Sequence, residues 1–124
     1  MHAVTRLLYD GQKNVLILVT GEIPSTDSGL VKEFTAVEFS KLAGSPKGLR
    51  LDTVIWLIEE KAGLQFWWAG EAFESFLLPM ESRNHLRFDR PLDSPPGTTH
   101  VLIKPGKSES GPRMFMLLLD FSKQ

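Results

Sequence analysis

The sequence predicts an all-β fold, an antiparallel sandwich or a barrel. Two observations carry that prediction. Short apolar, β-rich runs recur along the chain at 7–9, 15–19, 54–58, 64–68, 76–78, 101–103 and 115–119. Each is of strand length and shorter than the ~10–12 residues expected of a helix. Clusters of Gly, Pro, Asp and Ser separate them, and runs at this spacing suit two packed sheets with negligible helix.

The elements follow in order. Residues 4–9 and 13–20 flank Asp10-Gly11, a dipeptide that favours a tight turn with positive φ, and so predict a hairpin. Val15 to Val19 is apolar on both faces, so one face meets the core and the other a partner or a crossing segment. Residues 21–29 read as a loop by composition. Residues 30–35 alternate weakly as a short strand, and 37–42 read as one helical turn or an irregular crossing.

Gly44-Ser45-Pro46-Lys47-Gly48 is a break without a shift in composition. Residues 49–60 give the longest strand signal. Helix competes there, but Val54-Ile55-Trp56 favours strand. Strict alternation puts Leu49, Leu51, Thr53, Ile55 and Leu57 on one face, with Arg50, Asp52, Val54, Trp56 and Ile58 on the other. Residues 64–69 return antiparallel to that strand. Pro79 marks 76–80 as an edge strand or a strand end. Residues 85–88 read as another short strand and 90–97, with three prolines, as the least regular segment. Residues 98–104 form a strand, 105–112 a polar loop, and 113–121 a closing strand that is again apolar on both faces. The total is eight or nine strands. Ile17, Val54, Trp56, Phe66, Leu102 and Leu117 are the expected core.

At 124 residues the chain suits a single domain, 1–124, that buries roughly two-thirds of its unfolded surface. It has no cysteine, which excludes a disulfide scaffold, a thiolate metal site and a thiol nucleophile. A net charge of −1 with dispersed Lys and Arg gives no general attraction for nucleic acid or anionic lipid. The longest apolar stretch, 114–119, is too short to span a bilayer. No signal-peptide pattern opens the chain, so the expectation is a soluble protein that stays where it is made or is carried by an assembly.

The chemistry-bearing patterns are sparse. His2, His85 and His100 have no metal-site spacing. Neither a nucleophile elbow nor a phosphate loop is present. Glu59 and Glu60 are neighbours on a strand and point to opposite faces, so they cannot share a substrate there. Arg83, Arg87 and Arg90 near Asp89 and Asp93 read as surface ion pairs. The expectation is no enzyme and no cofactor. Phe66-Trp67-Trp68 is the most informative cluster: Trp67 faces away from the other two, so one indole is exposed, covered by a partner, or packed within the domain. An exposed Trp suits a sugar or a protein contact.

Four segments carry a resemblance. These are Leu7-Leu8-Tyr9-Asp10-Gly11-Gln12-Lys13-Asn14-Val15, Leu49-Arg50-Leu51-Asp52-Thr53-Val54-Ile55-Trp56, Leu64-Gln65-Phe66-Trp67-Trp68 and the ending Met116-Leu117-Leu118-Leu119-Asp120-Phe121-Ser122-Lys123-Gln124. Together they resemble the small virion proteins of tailed bacteriophages. The chain departs from that pattern at 91–97 and 106–111. The resemblance implies a jelly-roll-like β-sandwich on the capsid exterior, made in the host cytoplasm. It also implies a decoration or cement protein that binds the major capsid protein, commonly as a homo-oligomer, and stabilises the head. A neck or tail component, or a carbohydrate-binding module, is the alternative. The candidate partner-binding residues are Arg6, Trp67, Trp68, Arg90, Lys104 and Lys107. The expected contact segments are 2–6, 23–29, 90–97 and 104–112, because loops and termini carry recognition while the sandwich holds them.

Overall fold

A computed structural model describes residues 2–24, 33–60, 62–81, 83–108 and 112–124, with the side chains of residues 2, 83–91 and 107–108 outside that description. The described residues form nine strands: β1 (His2–Asp10), β2 (Asn14–Ile23), β3 (Phe34–Glu38), β4 (Leu49–Ile58), β5 (Ala62–Gly70), β6 (Glu74–Glu81), β7 (Arg83–Asp93), β8 (Thr98–Ser108) and β9 (Arg113–Lys123). A 3₁₀ turn, Phe39–Lys41, follows β3, where the sequence predicts a helical turn or an irregular crossing.

The strands form two antiparallel sheets, in the orders β1-β2-β9-β4-β7 and β3-β8-β5-β6. β2 pairs with β9, β3 with β8, β4 with β7 and β5 with β6. Those nested partnerships are what a long antiparallel double strand gives when its second half runs back along the first. Rolling it up adds the β9–β4 and β8–β5 pairs and closes two sheets face to face. This is the jelly roll, with β1 added outside β2.

Inward-facing side chains of both sheets fill one core. It includes Val15, Ile17 and Val19 of β2, Val54 and Trp56 of β4, Phe66 and Trp68 of β5, and Leu117, Leu119 and Phe121 of β9. All six residues expected in the core are buried, with Leu102 the most accessible at 7%. Leu102 reaches burial by a different route. It pairs with the outward Trp67 and Thr35, so it is covered on the outside of its sheet and does not join the central cluster.

Several expectations need correction. The first hairpin exists, but Gly11 does not have positive φ; among the described glycines only Gly44 and Gly97 do. The exposed Tyr9 ring lies over Gly11, where a Cβ would come within 2.4 Å of its hydroxyl and displace the ring. The strict alternation of β4 fails at Asp52, where the register against both neighbours shifts between Leu51 and Thr53. This bulge reverses the phase. Leu49 and Leu51 point inward before it, and Val54, Trp56 and Ile58 point inward after it.

β5 does not return beside β4. Both flanks of β4 are occupied, by β9 and β7, and β5 crosses to the other sheet. The segment at 90–97 is strand as far as Asp93. The β4–β7 register jumps from Thr53↔Arg87 to Leu51↔Leu92, so Pro91 falls where the ladder has lapsed, on an edge strand that tolerates it. Similarly, 105–108 continue β8 where a loop was expected. Pro79 does lie on an edge strand, β6. Residues 25–32 and 109–111, assigned from the sequence to a loop, a weak strand and a second loop, lie outside the described residues.

Candidate interaction face

An antiparallel sheet with one face on the core presents polar residues on the other. The five-stranded sheet departs from that rule, and the departure starts in the sequence. In β2 and β9 the residues between the inward positions are also apolar. Leu18 lies opposite Leu118, which lies opposite Ile55 of β4. One step along, Thr20, Met116 and Leu57 form a second row, and on the other side Leu16, Asp120 and Thr53 form a third. β1 extends the rows, placing Val4 beside Thr20, Arg6 beside Leu18 and Tyr9 beside Leu16.

Leu16, Leu18, Ile55, Met116 and Leu118 are half-buried by their neighbours alone. Around them Val4, Tyr9, Leu57 and Met114 are each more than half exposed. At one end of the rows Leu57 and Glu59 of the β4 side, with Met114 and Met116 of β9, line a shallow hollow.

One carboxylate interrupts this face. Asp120 is half-buried between Leu16 and Thr53. Desolvation pushes its pKa up, and the nearby Asp52 carboxylate pushes it further in the same direction. Asp52 itself accepts a hydrogen bond from the Ser122 hydroxyl.

The outer face of the four-stranded sheet is mixed. Trp67 points outward, as alternation requires, while Phe66 and Trp68 point inward. Its Nε1–H donates to Gln65 Oε1 at 3.0 Å. Phe76 meets the ring edge-on at 5.4 Å, and the Lys104 ammonium sits over it at 4.2 Å. Lys104 is also paired with Glu74 and, at 3.6 Å, with Glu33; the Glu74 contact raises its pKa.

The six candidates from the sequence are therefore not brought together. Arg6 is exposed on the five-stranded sheet, whereas Trp67 and Lys104 lie on the opposite side of the molecule. Trp68 is 2% exposed and packs in the core at 5.0 Å from Phe66 and 6.1 Å from Phe121, so it is unavailable to a partner. Arg90 and Lys107 belong to β7 and β8, with side chains outside the described residues. Leu18, Ile55, Met116 and Leu118 were not singled out from the sequence as contact residues. The signal that finds them is the doubly apolar character of β2 and β9.

Among the described residues, no three His, Asp or Glu side chains group to hold a metal ion. Comparison with known proteins finds no family model that matches this chain and no significant match to a curated protein.

Proposed function

We propose that this chain is a structural protein of a tailed-phage particle, a decoration protein that docks on the major capsid protein and reinforces the head. The observation that carries the reading is the apolar outer face of the five-stranded sheet. Three rows over four strands, at ~4.8 Å between strands and ~6.8 Å between same-face residues, give a face of roughly 400 Å² that is apolar except at Arg6, Thr20, Thr53 and Asp120. A stable pairwise complex needs about 800 Å² from each partner. A patch half that size suits modest binding, repeated many times over a lattice, where linked contacts sum. The net charge of −1 favours the capsid exterior over a position against packaged DNA.

The carbohydrate-binding reading is weaker. It needs an open indole face, and Trp67 has Lys104 over its ring and Phe76 at its edge.

The test is to delete the gene, or strip the protein from particles, and heat them. On this reading the depleted particles release DNA at a lower temperature than intact ones. Release at the same temperature would overturn the reinforcing role and move a neck or tail position ahead of it.

A further inference from the structure

Each sheet has two edges, and an unpaired strand edge is a template for another chain unless something blunts it. Three of the four edges here are blunted. β6 carries Pro79 between two glutamates, Glu74 and Glu81. β7 carries Pro91 and loses register beside it. β3 is only five residues long and is irregular between Thr35 and Val37. β1 differs: it has nine residues and no proline, and its one irregularity lies towards its end, between Leu7 and Tyr9. It also carries four of the large apolar side chains that stay half-exposed among the described residues: Val4, Leu7, Leu8 and Tyr9.

The inward side of β1 is open as well. Five strands face four, and β3 is the strand of the smaller sheet that β1 approaches. Leu7 overhangs a hollow walled by Ile17, Ala36, Val37 and Leu42, with Glu38 and Lys41 at its rim.

We propose that the β1 edge pairs with the β1 edge of a second copy of this chain, antiparallel across a two-fold axis, joining two five-stranded sheets into one. A second copy fits for two reasons. Opposed residues of an antiparallel pair share a face. A register centred on Thr5 therefore sets Thr5 against Thr5, Leu7 against Ala3 on the inner side, and Val4 against Arg6 on the outer side. That register keeps the two Arg6 side chains from opposing each other and ends before the irregularity at Leu8. It also buries both Leu7 side chains beneath the joined strands.

Val4 and Arg6 of β1 also border the proposed docking face, but the proposal rests on the open strand edge and the hollow beneath Leu7, so it stands or falls independently of capsid docking. The test is sedimentation of the full chain over a concentration series, with two variants at exposed Thr5. Wild type is expected to dimerise. Thr5→Lys and Thr5→Glu each oppose like charges at the axis and should raise the dimer dissociation constant at least tenfold, with unchanged melting. An equimolar mixture of the two should recover the dimer. A wild type that stays monomeric, a Thr5→Lys protein that dimerises normally, or a mixture that does not recover would each overturn the proposal. So would β1 amides that gain exchange protection only on assembled particles, which would assign the edge to a strand of another protein.

Discussion

Leu117 and Leu118 are adjacent in β9, and truncating each to Ala separates the core from the outer face. Leu117 is fully buried between Val19 and Trp56. Leu→Ala removes three carbon groups, about 2.4 kcal/mol of transfer free energy at ~0.8 kcal/mol each. A partly collapsed void of about 40 Å³ adds roughly 1 kcal/mol, giving about 3–4 kcal/mol in total. An unfolding entropy near 2.1 cal/mol/K per residue gives about 0.26 kcal/mol/K for this chain, so the melting temperature should fall by about 13 °C. Leu118 faces outward and is only half-buried between Leu18 and Ile55. Its truncation leaves no cavity and loses about half the transfer term, so the fall should be about 4–5 °C. Calorimetry of the two variants reads the difference. Equal losses, or a larger loss at Leu118, would mean that the β9 register is off by one residue, because such a slip exchanges the faces.

Two further outcomes follow from charges. Lys123, 6% exposed, donates to Asp10 Oδ1 at 2.5 Å, to the Gly11 carbonyl at 2.6 Å and to the Ala43 carbonyl at 2.8 Å, tying the last strand to the first hairpin. Lys123→Met should lower the melting temperature by roughly 5–10 °C at pH 7. The Lys123 hydrogen bond and the Ala43 N–H hold the Asp10 pKa below its ordinary 3.8, so this stabilisation is present above pH 3.8 and is lost as pH falls through the depressed value; melts at pH 7 and pH 3 should show the deficit shrinking. Asp120 has the opposite sign: its raised pKa means that ionisation costs stability as pH climbs from 3.8 through the raised value. Asp120→Asn should therefore raise the melting temperature by a few degrees at pH 7 and lose that advantage at pH 4 and below.

The fold class was legible because hydrophobic period and turn chemistry are local properties. The β1–β2 hairpin, the placing of Pro79 on an edge strand or at a strand end, and the opposite facing of Trp67 and Trp68 all follow from them. What failed was non-local. Nothing in 49–60 marks Asp52 as the extra residue of a bulge, because the bulge is set by the partners β9 and β7. Nothing in 59–63 says that β5 changes sheets, because that depends on which flanks of β4 are already taken. The interaction face was half legible. Runs such as Leu16-Ile17-Leu18 announce an outward apolar face, but whether Ile17 or the two leucines face out depends on register. The charged and aromatic residues favoured as contacts proved to be scattered, with Trp68 in the core.

The most direct measurement of the central claim is co-sedimentation of the full chain with particles that lack it, comparing wild type with the Leu18→Lys/Leu118→Lys double variant. Both side chains point out from the centre of the five-stranded sheet, so the fold should survive, with melting lowered by about 10 °C because two half-buried leucines are lost and two like charges are set opposite each other. Wild type should bind, and the double variant should bind at least 100-fold more weakly because two charges must be buried unpaired at the contact. Equal binding by the two proteins, or no binding by wild type, would contradict the account.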